Sequence, residues 1–262
     1  MRSTSKCNSA RTLGVVLSTI GLCLSSLAWS DPVNIVPYGS VGPNLVDFED
    51  VAGAGCPGVN YDTILLTGGA SLAERFAGQI LTYEGDNDVL SGTPTAPLTL
   101  QVGAPGQNLA VGQDTGTNGL YPYGPLGFPH PEGYGEGAFA ILFPAPVSQF
   151  GLEGYYGGSA AAAGDRPAAP PGDLQAAGLL VDNTILQFFR NDGSLISIVT
   201  VSVPHTVAAF GFEREGSVCD IAGVSVHNID GGGLGYDNLK YGEVLPTPVD
   251  SGTWGAIKAR YQ

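Results

Sequence analysis

Thr184-Ile185-Leu186-Gln187-Phe188-Phe189-Arg190-Asn191-Asp192-Gly193-Ser194-Leu195-Ile196-Ser197-Ile198-Val199-Thr200-Val201 holds two apolar, β-prone runs on either side of one turn. β-branched and aromatic side chains suit a pleated, half-buried surface. Asn191-Asp192-Gly193-Ser194 supplies the positive-φ positions that a tight hairpin needs. The stretch therefore reads as a strand, a hairpin turn and a returning strand.

The same pattern recurs in both directions. Strand-like runs occur at 45–49, 63–66, 79–82, 97–102, 137–143 and from Val147 through Tyr155-Tyr156. They continue at 179–181, 206–212, 221–226 and 236–241. Short runs between turn signals predict an all-β sandwich. Ser71-Leu72-Ala73-Glu74-Arg75-Phe76 is the one helix candidate in the body, because Ser71 and Glu74 match a capping box. The run is under two turns, so a strand is nearly as well supported. No internal repeat is visible.

Composition agrees. Gly and Pro account for 40 and 19 of 262 residues, and both break helix interiors, which excludes a helical bundle. Charged residues make up only 13 %, against 43 % apolar, which excludes a charge-extended disordered chain.

Residues 1–30 read as a secretory signal peptide. Arg2, Lys6 and Arg11 precede an apolar stretch from Leu13 to Trp29, and Ala28-Trp29-Ser30 is a small-x-small exit. The stretch is too short and polar for a comfortable membrane span. Leu22 before Cys23 does not fit a lipidation site. The expected location is secreted, periplasmic or cell-surface. Cleavage after Ser30 leaves 232 residues, a size common for one β-sandwich domain. It removes three basic residues and no acid, so the formal charge moves from −14 to −17. Such a surface repels phosphate backbones, so nucleic acid and anionic lipid are poor partners.

Cys7 and Cys23 leave with the signal, and Cys56 and Cys219 remain. Two cysteines in an exported chain most simply form one disulfide, worth roughly 5 kcal/mol by chain entropy. Two buried thiols are the alternative. The chain thus divides into a signal (1–30), a β-sandwich domain (31–243) and a Pro linker with a short amphipathic tail (244–262). In the tail, Thr253 can cap a short helix carrying Trp254, Ile257 and Tyr261 on one face, with Lys258 and Arg260 as local cations. Within the domain, 157–178 reads as an Ala/Gly/Pro-rich surface loop and 118–137 as an irregular, aromatic-bearing one.

Phe48-Glu49, the run from Gly68 to Gly78, Ser91-Gly92-Thr93-Pro94, Phe143-Pro144-Ala145-Pro146-Val147, Asn191-Asp192-Gly193 and Gly235-Tyr236-Asp237-Asn238-Leu239 together resemble a broad group of bacterial exported jelly-roll proteins. Many of that group carry a Pro-Glu-Pro sorting tail, which this chain lacks. The sandwich also looks like concanavalin-like and galactose-binding-like folds. Thr253 to Tyr261 resembles a short C-terminal motif of other exported bacterial proteins. The resemblance implies fold more than function.

It also implies that the first and last strands are neighbours, which would bring Glu49 or Asp50 near Asp237 and Asn238. Carboxylate, amide and carbonyl oxygens suit calcium, so a structural calcium site is expected there. Solvated or turn-capping acids are the plainer reading. Tyr121, Tyr123, Tyr134, Tyr155 and Tyr156, with Phe128, could form a sugar-stacking platform. Loop packing is the plainer reading of them. No G-x-S-x-G elbow or H-E-x-x-H helix occurs, and no organic cofactor is implied. Gly231-Gly232-Gly233-Leu234-Gly235 has no following Lys-Ser/Thr, so it reads as a turn and not a phosphate loop.

The expectation is an exported, non-catalytic jelly-roll β-sandwich with a short C-terminal helix. Its role would be binding or structural, with polysaccharide or extracellular matrix as partner. A concanavalin-like carbohydrate-active enzyme, and a structural subunit docking through its tail, are the alternatives.

Overall fold

The computed structural model describes residues 32–113, 116–156, 183–203, 207–229 and 232–243. The expected signal, the 157–178 loop, the 179–181 run and the tail with Trp254, Ile257, Lys258 and Tyr261 lie outside the described residues. Within them the chain is all-β, and the helical pieces are three-residue 3-10 turns.

The hairpin at the centre of the sequence forms as read. Strand β14 (Thr184–Phe189) pairs antiparallel with β15 (Leu195–Val201), and Gly193 takes a φ of 76° between them. They begin a six-stranded antiparallel sheet that continues through β17 (Ile221–Asn228), β12 (Phe139–Val147), β5 (Ala70–Ala73) and the edge strand β4 (Leu65–Thr67).

The second sheet has eight strands. Its order is β1 (Val33–Val36), β16 (Ala208–Arg214), β13 (Gln149–Tyr156), β18 (Leu234–Gly242), β11 (Asn118–Pro122), β10 (Leu109–Gln113) and β3 (Val59–Tyr61). Strand β2 (Asn44–Val46) also pairs with β18, with Val46 opposite Leu239. The strand read at Leu45 therefore does lie beside the last one.

Both sheets contribute to one core, which is a β-sandwich arrangement. Phe48, Phe150, Phe212 and Tyr236 from one side meet Phe139, Phe188, Val224 and Leu72 from the other, all fully buried. Full burial of such side chains stabilises by about 1.5–3 kcal/mol each. Asp220 ties the layers at one end. It accepts from Arg214 Nε at the end of β16 and from Arg190 Nε just after β14, both at 2.9 Å.

The outer face of the six-stranded sheet is covered as well. A ribbon of β7 (Ile80–Glu84) and β8 (Asn87–Ser91), and a two-residue pair of β6 (Arg75–Phe76) with β9 (Leu100–Gln101), lie off the two main sheets. Phe76, Leu98, Ala140, Phe189 and Ala222 form the small core beneath them.

Two local expectations change. Ser71–Phe76 is extended, not helical: Leu72 pairs with both Leu65 and Ile141, so strand partners on both sides override the capping-box signal. The segment from Asn118 is not irregular at its start, since Asn118–Pro122 is the buried strand β11. Gly119 marks a close approach there, because a Cβ on it would sit 2.0 Å from the Tyr155 hydroxyl.

Candidate functional site

Asp237 on the last strand lies among three further acids, Glu153, Asp47 and Glu49. Between Gly151 and Glu153 the β13–β18 register slips, and the bulge falls at Asn238, whose φ is 47°. Asparagine tolerates this left-handed region better than most residues. The bulge turns Asp237 and Asn238 toward Glu153. Asn238 Nδ2 donates to Glu153 Oε2 at 2.8 Å, and the Asn238 N–H donates to Asp237 Oδ1 at 2.6 Å. Tyr38 closes the other side: its hydroxyl donates to the Asn238 carbonyl at 2.5 Å, and Lys240 Nζ sits 4.4 Å above its ring.

Asp47 and Glu49 arrive from the turn after β2. Phe48 between them has a φ of 58° and is fully buried. Buried Asn118 holds that turn. Its N–H donates to Glu49 Oε1 at 2.8 Å, and its Nδ2 donates to the carbonyls of Phe48 and Val51 at 2.9 and 3.1 Å. Burial pushes the Asp237 carboxyl up to about 7; the Asn238 N–H opposes this, and negative Glu153, Asp47 and Glu49 reinforce it. Burial, then Glu153 and Asp237, raise the Tyr38 hydroxyl as well.

Of the four residues expected to hold calcium, Glu49, Asp237 and Asn238 belong to this cluster. Asp50 does not. It accepts from the Thr67 hydroxyl and, at 3.1 Å, from the Gly68 N–H, so it caps the β4–β5 turn. Asp47 and Glu153 complete the cluster and were not singled out in the sequence. Among the described residues, no three His, Cys, Asp or Glu side chains are gathered so as to hold a metal ion.

The tyrosines are interior. Tyr121, Tyr123 and Tyr134 are at most 1 % exposed and form a separate cluster with Ala110, flanked by Phe128 and Tyr155. The Tyr121 and Tyr134 rings stack with centroids 4.1 Å apart, and the Tyr121 hydroxyl donates to that of Tyr155 at 3.0 Å. The rings lie on glycines: a Cβ at Gly235 would come within 2.5 Å of Tyr121, and one at Gly112 within 2.3 Å of the Tyr134 hydroxyl. Tyr121, Tyr123 and Tyr134 therefore offer no open face for sugar stacking. For Tyr156 the backbone position in β13 is described.

The expected disulfide is absent. Cys56 and Cys219 are both exposed and not joined to each other. Sheet order gives the reason. Cys56 precedes β3 at one margin of the eight-stranded sheet, and Cys219 follows β16 beside the other margin. Strands β16 and β3 are five spacings of about 4.8 Å apart, roughly 24 Å, against about 7 Å for bridgeable Cα atoms. Hydrogen bonds between β2 and β18, not sulfur, join the opening and closing segments.

Other perturbed groups are sealed inside. Asp88, 1 % exposed, is pushed up to about 7 by burial, against the opposing Ala138 N–H at 3.0 Å and the charge of Arg75. Glu74, also 1 % exposed, pairs with Arg75. Burial alone lowers His227 to about 4. All three side chains are buried and are closed to a substrate.

One open concave surface among the described residues is apolar. Ile64 and Leu66 on the β4 edge, Ser71, Leu142, and Thr99 and Leu100 around β9 line a groove of about 440 Å³. Leu66 is 69 % exposed. The lining has two hydroxyls and no titratable group. Sequence reading missed this groove, although Ile64-Leu65-Leu66 is a continuous apolar run and so was bound to leave one face outward.

Compared with known proteins, the chain matches no family model, no curated protein and no solved structure. No helix among the described residues is long and apolar enough to cross a membrane.

Proposed function

We propose that this is an exported, non-catalytic β-sandwich of jelly-roll type that works by binding or as a structural unit at the cell surface or outside. Its partner is an apolar polypeptide segment of that surface or matrix. The groove beside β4 is the observation that carries the reading. Its exposed Ile64 and Leu66, backed by Leu100 and Leu142, can desolvate apolar side chains, and Ser71 and Thr99 can meet backbone polar groups. Burial of Tyr121, Tyr123 and Tyr134 removes three of the five expected tyrosines from any sugar-stacking surface. Export is supported by β1 opening at Val33, just past the Ser30-Asp31 boundary.

The test is an array of extended peptides set beside a panel of immobilised polysaccharides. It is probed with the chain ended at residue 245, a form that keeps every described strand. Leu- and Ile-rich peptides are expected to be retained, with about tenfold loss in Leu66→Asp, the change expected when a buried apolar contact is replaced by a desolvated charge. Retention on polysaccharide alone, undisturbed by that substitution, overturns the polypeptide partner.

A further inference from the structure

We infer that the β4 groove is the seat of this chain's own C-terminal tail, residues 253–261. The inference rests on reading the groove as a polypeptide-binding surface and names its resident occupant.

The first argument is where the described chain ends. The Tyr241 hydroxyl donates to the Gly68 carbonyl at 3.0 Å, and Gly68 lies in the β4–β5 turn, two residues beyond Leu66. The chain therefore leaves its last strand behind the rim of the groove. Crossing one sheet spacing of about 10 Å and then two residues of strand, roughly 7 Å, reaches Leu66. Residues 243–252 can extend to about 33 Å, so the linker is sufficient. A tether this short gives an effective concentration of order millimolar.

The second argument is complementarity. Trp254, Ile257 and Tyr261 recur at i, i+3 and i+7, one apolar stripe for an apolar groove. Lys258 and Arg260 stand between them in a chain of net charge −14. Two exposed carboxylates flank β4: Asp50, capping the Gly68 turn, and Asp62, two residues before Ile64. A negative charge thus stands next to each end of β4.

The third argument is the edge itself. β4 is the last strand of its sheet and presents Leu66 and Ile64 to water. An exposed apolar edge strand invites association with other chains, and a covering segment removes that liability.

The chain has two tryptophans, Trp29 and Trp254. In Trp29→Phe, Trp254 alone reports on the tail. Its emission is expected to be blue-shifted and shielded from acrylamide. In Trp29→Phe with Leu66→Asp, quenching should rise about threefold or more, and the shielding should be independent of chain concentration because the contact is intramolecular. Leu66 is exposed, so this substitution leaves the core intact. Trp254 quenched as freely as in the isolated peptide 246–262, shielding untouched by Leu66→Asp, or shielding that grows with concentration each overturns the proposal. The groove reading has its own readout, an apolar fluorescent dye added to the chain ended at residue 245. Uptake lost in Leu66→Asp, together with an exposed Trp254, overturns the tail alone; no uptake overturns the groove reading itself.

Discussion

The side-chain amide of Gln79 donates to the side-chain carbonyl of Gln187 at 2.8 Å, across 108 positions of sequence. Both are buried, and the contact runs from the start of the outer β7–β8 ribbon to β14, the second strand of the six-stranded sheet. Gln79 Nε2 also donates to Ser225 Oγ at 3.0 Å, and Gln187 Nε2 donates to the Leu90 carbonyl at 3.1 Å. A layer with a small apolar core is thus held in register by amides whose partners are all protein.

Gln187→Leu should be costly for that reason. It leaves the Gln79 amide with one partner fewer and the Leu90 carbonyl without this donor, an expected loss of about 2–4 kcal/mol. Urea unfolding followed by circular dichroism measures it. A loss under about 0.5 kcal/mol would mean that the outer layer is not anchored through this network.

Asp237 should make stability fall as pH rises. Its ordinary value is 3.8 and the fold raises it to about 7, so between those values the folded chain holds a proton that the unfolded chain has released. The favourable contribution is complete below about pH 4 and gone above about pH 7. Asp237→Asn is expected to stabilise by about 1–2 kcal/mol at pH 8, after discounting for solvent, and to do little at pH 4. An equal effect at both pH values would contradict the cause assigned here.

His227 acts with the opposite sign. Its value drops from 6.5 to about 4 on burial, so the unfolded chain takes up the proton first as pH falls. Its contribution to stability is intact above about pH 6.5 and is lost progressively toward pH 4. His227→Leu should flatten the stability profile across that window, relative to the unsubstituted chain. A profile whose slope is unchanged sinks the assignment.

Tyr134→Ala should be a folding defect. Removing a fully buried aromatic side chain costs about 3–5 kcal/mol, and this one is stacked on Tyr121 at 4.1 Å. A variant that melts like the parent would return the tyrosines to the surface.

Reductant should leave the chain's thermal midpoint unmoved, because no bridge joins Cys56 to Cys219. Both exposed thiols are expected to react with a thiol reagent in the folded chain. A midpoint that falls in reductant would restore the disulfide.

Legibility followed the physics of each signal. The 184–201 hairpin was readable because propensity, alternation and turn chemistry agree over eighteen residues. Ser71–Phe76 was not, since its strand identity comes from β4 and β12, far stronger constraints than one cap. Glu49 and Asp237 were brought together by the pairing of β2 with the last strand; the first strand, β1, pairs with β16 instead. Glu153 was invisible because its place opposite Asp237 depends on a bulge, which composition does not announce; Asn at 238 was the faint clue. The tyrosines misled because glycine on both sides of them looked like loop. Here glycine makes room for rings lying flat on a sheet. Counting cysteines said nothing of strand order, and strand order decided the matter.

Strand β18, residues 234–242, occupies the middle of the larger sheet, between β13 on one flank and β11 with β2 on the other. Until that stretch has left the ribosome, the sheet exists only as two unjoined halves. Closure of the larger sheet therefore waits on residues 234–242, and every strand made before them is held open until this central one arrives.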